Sequence, residues 1–185
     1  MNTQLYFLRS SEHFIVKELL QYAARLDKSA ETLDERPDLE QYHRNYGNYN
    51  GDVGVYAIVD HKVAGGAWVR MLLNGFGHVD NATPELMLAV LPEYRDQGLG
   101  TQLMQQLFTE AEKIYSQLSL SVQEGNPAVK FFEQLGFTKV EGSDHTGTTG
   151  LPSFTMLKKF DKQTAEKKGA EKNLEEERFR KSFGF

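Results

Sequence analysis

A chain of 185 residues, 39% apolar and 25% charged, can bury one substantial core but is too short for two ordinary domains and a linker. Its formal charge of −5 leaves no basic body to displace counterions from phosphates, which argues against a nucleic-acid partner. The absence of cysteine removes disulfides, thiolate metal sites and cysteine nucleophiles, and the five histidines lack paired ligand spacing, so no metal is expected. Met1 to Arg9 lacks the basic start and long apolar run of a signal peptide and no stretch approaches a membrane span, so the expectation is a cytoplasmic protein without a membrane partner.

Leu5 to Arg9 is an apolar run rich in aromatics that suits a first strand, and Ser10-Ser11-Glu12 supplies a cap signal for a helix. Over His13 to Leu26, the positions Phe14, Ile15, Leu19, Leu20, Ala23 and Leu26 recur at helical spacing and predict one buried face. Asp27 to Asn50 is polar, rich in Tyr and Asn and broken by Pro37 and Gly47. It reads as a mobile, functional segment with a short helix around Leu39 to Tyr46. Gly54 to Val59 and Lys62 to Met71 are β-rich runs that Asp60-His61 joins as a tight antiparallel hairpin, although neither turn residue is glycine.

After a loop around Asn74 to Thr83, Glu85 to Leu91 is nearly continuous apolar sequence and fits a central strand ended by Pro92. Leu99, Leu103, Met104, Leu107, Phe108, Ala111 and Ile114 mark a long amphipathic helix from Gly98. A strand over Leu118 to Val122 precedes a short helix through Leu135, with Asn126 as cap, Pro127 at its first position and Gly136 closing it. Phe137 to Val140 and Phe154 to Phe160 are expected to pair as a last hairpin across the loop Glu141 to Pro152. The chain is read as one domain over residues 1–160 and a charged tail or helix over 161–185. In that tail seven basic and six acidic residues alternate, while Leu174, Phe179, Phe183 and Phe185 are candidates for docking on the body or on a second copy in a homodimer.

The junction that carries chemistry is the strand Leu86 to Leu91 running into Arg95-Asp96-Gln97-Gly98-Leu99-Gly100-Thr101 and then directly into a helix. Glycines let the backbone approach a ligand closely, and the unpaired N–H groups of a first helical turn, reinforced by the helix dipole, suit a pyrophosphate. A P-loop needs Lys after its last glycine, and a dinucleotide fingerprint needs G-x-G-x-x-G after an early parallel strand; both patterns fail here.

Val90 to Thr101, with the sequence Val-Leu-Pro-Glu-Tyr-Arg-Asp-Gln-Gly-Leu-Gly-Thr, resembles the acetyl-coenzyme A signature of the GNAT superfamily of N-acetyltransferases. A second block, Ser119-Leu120-Ser121-Val122 followed by Asn126 to Phe137, resembles the family's fifth strand, fourth helix and closing Gly-Phe. The resemblance covers about residues 4 to 160, most securely 85 to 140. It implies an α/β (α+β) fold with a mixed, mostly antiparallel central sheet of six to seven strands flanked by about four helices, and acetyl-CoA as co-substrate.

Residue by residue, the resemblance implies that backbone N–H groups over Gln97, Gly98, Leu99, Gly100 and Thr101 hold the pyrophosphate, with Arg95 beside it. Leu88, Ala89 and Val90 would pair with the pantetheine arm as with an added strand, the strand near Leu118 would splay away, and Asn126 would face the cofactor from the other wall. The implied chemistry is direct attack of a primary amine on the thioester in a ternary complex. A protonated amine cannot attack, so a carboxylate base is needed and Glu85 is the candidate, while a main-chain N–H over Leu88 to Val90 would polarise the carbonyl. Phe132, counted with the cofactor wall, departs from the family, which often has Tyr there to protonate the leaving thiolate. Water or the hydroxyl of Tyr94 would have to substitute.

The acceptor, a small amine or a protein or peptide amino group, is expected between Asp27 to Asn50 and Glu141 to Pro152. Six carboxylates over Asp27 to Glu40 would favour a cation there. Tyr42, Tyr46, Tyr49, Trp68, Arg70 and His78 are candidates to line that pocket, with Arg70 placed to hold an acceptor carboxylate. The contrary expectation is a non-catalytic acyl-CoA sensor whose tail engages a partner, which Phe132 and the tail favour.

Overall fold

The computed structural model describes residues 2–161. The tail past Asp161, with its candidate docking residues, lies outside the described residues. The elements are β1 (Thr3–Phe7), α1 (His13–Ala23), β2 (Val53–Val59), β3 (Lys62–Arg70), β4 (Glu85–Val90), α2 (Leu99–Ala111), β5 (Gln117–Gln123), α3 (Ala128–Gln134), β6 (Thr138–Lys139), β7 (His145–Thr146) and β8 (Pro152–Lys159). Among the described residues they build one sheet in the order β1-β2-β3-β4-β5-β8-β6, with β7 added beside β8. Every pairing is antiparallel except β4 with β5.

The mixed, mostly antiparallel sheet follows the expectation, and the two-residue β7 is an addition inside the long loop before β8. Asp60 and His61 both adopt left-handed backbone, with φ of 47° and 68°, which gives the β2–β3 hairpin the twist of the flanking strands without glycine. Helix α1 stops at Ala23, short of the expected Leu26, because Arg25 is left-handed, with φ of 61°. The short helix expected around Leu39 to Tyr46 is instead a 3₁₀ turn over Pro37–Tyr42, begun by Pro37 at its first position. Helix α2 closes at Ala111, and Ile114, expected on its buried face, is exposed, as is Phe14 at the start of α1.

Two apolar clusters sandwich the sheet. On one face Leu103, Met104 and Leu107 of α2 and Phe132 of α3 pack on Leu118, Leu120 and Met156. On the other, Ile15, Val16, Leu19 and Leu20 of α1 pack with Leu39, Tyr42, Trp68, Met87 and Ala89. Gly66 is required by this second contact: a Cβ there would stand 2.7 Å from Leu19 Cδ1 and 3.0 Å from the Val55 carbonyl oxygen.

Arg70, at the end of β3, is buried and ties the 3₁₀ segment to the sheet. Its Nε donates to Asp52 Oδ1 at 2.9 Å and its Nη2 to Asp52 Oδ2 at 2.6 Å, while Nη1 donates to the carbonyls of Gln41 and Arg44. The guanidinium also lies 5.1 Å from the ring centroids of both Tyr46 and Tyr49. Removing one partner of a buried, bidentate pair strands the other charge. Asp52→Ala is therefore expected to lower unfolding free energy by about 3–5 kcal/mol, measured by urea titration, whereas Lys17→Ala, which breaks the exposed pair with Asp34, is expected to cost no more than about 1 kcal/mol.

Candidate active site

The site begins where two strands part. β4 and β5 share a single parallel pairing, Glu85 with Ser119, and then diverge. The peptide groups of a strand alternate in direction, and the Leu91 N–H bonds the Ala64 carbonyl on the β3 side. By that alternation Ala89 turns its N–H and C=O to β3, and Leu86, Leu88 and Val90 turn theirs to the gap. Of the three residues expected to pair with a pantetheine arm, Leu88 and Val90 thus present main-chain groups to the gap, and Ala89 presents its side chain to the α1 face.

A cleft of about 640 Å³ occupies the gap, within the usual range for small-molecule sites. Its wall includes Glu85, Leu88, Ala89, Val90, Tyr94, Arg95, Gly98, Leu99, Gly100, Thr101, Asn126 and Phe132, twelve of the thirteen residues singled out from sequence. Gln97 does not line it: its side-chain amide donates to the Glu93 carbonyl at 2.9 Å. Asp96, in left-handed backbone with φ of 59°, faces the cleft although nothing but its place in the turn pointed to it.

The first hydrogen bond of α2 runs from Gln102 N to the Gly98 carbonyl, so the N–H groups of Leu99, Gly100 and Thr101 precede the helical ladder and are free for an anion at the cleft. Gly98 needs to be glycine for its backbone, with φ of +77°. Gly100 has no such need. A Cβ there would meet nothing nearer than Phe131 Cζ at 3.5 Å, so neither conformation nor packing demands glycine, and close approach of a ligand remains as the reason. Arg95, exposed at the rim, donates from Nε to the Val90 carbonyl at 2.9 Å. Asn126 caps α3, its Oδ1 accepting from Ala128 N at 3.0 Å. Phe132 packs edge-on against Phe131 and Phe137 and carries no hydroxyl to the cleft. These features fit an acyl-coenzyme A: donors for a pyrophosphate, an open strand edge for an amide-bearing arm, and a cradle that a Cβ would narrow.

Glu85 sits at the closed end of the gap, 4% exposed. Tyr42 donates its hydroxyl to Glu85 Oε1 at 3.0 Å and accepts from Phe76 N at 2.7 Å, so the phenol is committed on both sides. Burial also pushes the Tyr42 phenol well above its usual range. Glu85 Oε2 rests against Gly75, with Gly77 beside the carboxyl carbon, and among the described residues no N–H or O–H meets Oε2 in good hydrogen-bonding geometry. Burial pushes the Glu85 carboxyl up to about 7, against the pull of the Tyr42 hydrogen bond and a weaker pull from the Gly77 N–H.

The side where an acceptor is expected is roofed by contacts far apart in sequence. Arg36 Nη1 donates to the Thr148 carbonyl at 2.7 Å, Thr148 Oγ1 donates to the Ala24 carbonyl at 3.2 Å, and Arg25 Nη1 donates to Gln123 Oε1 at 3.1 Å. Of the six carboxylates over Asp27 to Glu40, Asp34 pairs with Lys17, Glu31 and Asp38 with Arg36, and Glu40 with Arg44, while Glu35 closes a capping box with Thr32. Asp27 is the one that lines the cleft. The aromatic and basic candidates divide likewise: Tyr42 lines the cleft, whereas Tyr46 and Trp68 are core and Tyr49 stacks outside on Arg70. His78 is not in the cleft wall; its Nδ1 lies 3.0 Å from the Leu72 carbonyl. Arg70 does not serve an acceptor carboxylate, because Asp52 and two carbonyls already occupy its donors.

Residues 15–137 match the family model described as "Acetyltransferase (GNAT) family". The chain belongs to this family. Among solved structures, this GNAT chain is similar to yncA of Salmonella typhimurium with its cofactor acetyl-CoA, at 19% identity and TM-score 0.63, over 86% of this chain and 95% of that one. It is similar to a phosphinothricin acetyltransferase of Sinorhizobium meliloti in complex with acetyl-CoA, at 18% identity and TM-score 0.64, over 86% and 89%. It is also similar to the ribosomal-protein-S18-alanine N-acetyltransferase of Escherichia coli, at 21% identity and TM-score 0.60, over 85% and 94%. These likenesses establish the fold. No curated protein sequence matches the chain.

The raised Glu85 value has a consequence for stability of this GNAT domain. A carboxyl whose folded value lies above its unfolded value of 4.5 binds its proton more tightly when folded. Its stabilising contribution is complete below pH 4.5 and is lost as pH rises to about 7. Wild type should therefore lose up to about 3 kcal/mol relative to Glu85→Gln between pH 4.5 and pH 8, by urea titration at a series of pH values. Parallel profiles for the two proteins would show that Glu85 titrates normally.

Proposed function

We propose that this GNAT acetyltransferase moves the acetyl group of acetyl-CoA to a primary amine by direct attack in a ternary complex. The observation that carries the reading is the convergence, in one cleft, of free helix N–H groups, an open strand edge and a buried carboxyl of raised pKa. Acetyl-CoA supplies the activated acyl group; the protein supplies position and proton handling. Leu99, Gly100 and Thr101 N–H groups with Arg95 hold the pyrophosphate, and Leu88 and Val90 pair with the pantetheine amides. The Val90 or Leu88 N–H is aimed at the thioester oxygen, where charge develops in the transition state.

Glu85, as carboxylate, takes a proton from the acceptor nitrogen, and a value near 7 suits a base working at neutral pH. Tyr42 orients it. Tyr94 lines the cleft beside Gly98 and is the hydroxyl proposed to stand in for the one that Phe132 lacks. Asp27 at the rim favours a cationic acceptor. Of the similar structures named above, one is described as a phosphinothricin acetyltransferase and one as a ribosomal-protein-S18-alanine N-acetyltransferase, so both a small molecule and a protein stay open as the acceptor.

The test is isothermal titration of acetyl-CoA into wild type and Gly100→Trp, a position whose backbone accepts any side chain, followed by free-thiol release with a panel of amines. Wild type is expected to bind at about micromolar Kd or tighter and the folded variant not measurably. Glu85→Gln is expected to lower kcat about 10²-fold or more and to remove an ascending pH limb near 7. Binding without thiol release from any amine would favour the acyl-CoA sensor; no binding would leave only the fold.

A further inference from the structure

Ser121 and His145 form a pair that neither the fold nor the acetyl-transfer reading uses. Leu118, Leu120 and Val122 of β5 face α2, so Ser119, Ser121 and Gln123 face the α1 side, as do Met87 and Ala89 of β4 and hence Glu85. Ser121 lines the cleft. Its Oγ lies 2.8 Å from His145 Nε2, and His145 Nδ1 lies 2.8 Å from the Ser143 carbonyl. A carbonyl only accepts, so Nδ1 carries the ring proton, and in the neutral imidazole Nε2 is the acceptor of the Ser121 hydroxyl proton. Gly77 brings this pair to Glu85: a Cβ on Gly77 would stand 2.7 Å from Ser121 N and 3.1 Å from Glu85 Cδ.

An ammonium that becomes an amide sheds two protons from nitrogen, one before attack and one after, and a single carboxylate accepts one. We propose that Ser121 and His145 form a relay that removes the first proton from the acceptor ammonium, leaving the second to Glu85. The acceptor N–H bond and the Ser121 Oγ–H bond break, a new Oγ–H bond and a His145 Nε2–H bond form, and positive charge passes from the substrate nitrogen to the imidazole. No electrons are exchanged. His145 is half-buried, at the solvent side of Ser121, and returns the proton to water. The charged groups beside it are Asp144 and Lys139, paired with each other at 2.8 Å, with Glu85 beyond Ser121 across Gly77. Ser121 touches the substrate in this scheme; His145 acts through it and is a positioning residue.

The inference rests on the acetyl-transfer reading, and two measurements separate their failures. In the full chain, ¹⁵N NMR of His145 is expected to show the Nδ1–H tautomer and to change on Ser121→Ala; an Nε2–H tautomer, or indifference to Ser121→Ala, overturns the relay whatever the activity. In thiol-release assays with acetyl-CoA, Ser121→Ala and His145→Gln are each expected to lower kcat/KM about 10²-fold for amines protonated at the assay pH. The double variant should fall no further, and the loss should vanish for amines whose pKa lies below the assay pH. Gln at 145 keeps a hydrogen bond to Ser121, so a merely structural tie leaves activity unchanged, within about threefold, and that outcome overturns the relay. Absence of turnover by wild type sinks the acetyl-transfer reading and leaves the tautomer as the deciding result.

Discussion

The site depends on one interruption of hydrogen bonding. A parallel strand pair normally continues its ladder until one strand ends, yet β4 and β5 stop after a single pairing although both run on for several residues. The divergence leaves the Leu86 carbonyl and the peptide groups of Leu88 and Val90 without a strand partner along the cleft, and peptide groups shielded from water without partners are costly. The structure lessens that cost in part from within, since Arg95 donates to the Val90 carbonyl. On the proposed reading, the remaining groups suit a ligand that carries amides at strand spacing, which is a stricter requirement than an apolar pocket would impose.

Everything around the gap keeps it from closing. On the β4 side, β3 pairs along the whole of β4, and on the β5 side, β8 pairs along the whole of β5, so neither strand is free to drift toward the other. The α2 N-terminus fills one end with helix N–H groups, and the Gly75–Gly77 loop fills the other against Glu85 and the β5 backbone. Glu85 therefore sits at the closed end of the gap, beside the single β4–β5 pairing, almost wholly buried. Burial at that closed end raises its pKa. A surface carboxylate at an ordinary strand end would have neither property.

The sequence made this half of the site readable because it is local: strand, glycine turn and helix follow one another within seventeen residues from Glu85 to Thr101, and each has its own periodicity or breaker. The acceptor half was not readable to the same degree. Arg70 looked free to bind a carboxylate because its partner, Asp52, lies eighteen residues earlier and is met only through the β2–β3 register. The roof from Arg36 to Thr148 spans 112 positions. His145 carried no periodic signal, since β7 has two residues, and its approach to Ser121 exists only after β8 has paired with both β5 and β7. The Leu39 to Tyr46 segment misled for a different reason: Pro37 starts a helix-like turn, and the anchoring of Leu39 and Tyr42 in the core then sets its geometry more than helical propensity does.

Phe132 raises the question of how far a family chemistry depends on one hydroxyl. Tyr at that position would sit in an aromatic cluster with Phe131 and Phe137 and would have to send its hydroxyl toward the cleft. Phe keeps the packing and carries no hydroxyl. A coenzyme A thiolate is a good leaving group, with a conjugate acid not far above neutral, so loss of a general acid weakens the collapse step less than loss of a base weakens the attack. The proton inventory of this cleft agrees with that order. Among the described residues Glu85, Tyr42 and Ser121, with His145 behind Ser121, gather on the α1 face where the proposed amine would enter, and α3 lines the opposite wall with Phe131 and Phe132, so on that reading Tyr94 is the hydroxyl left to serve the sulfur. On the proposed reading, the cleft holds more groups able to take protons from nitrogen than to return one to sulfur.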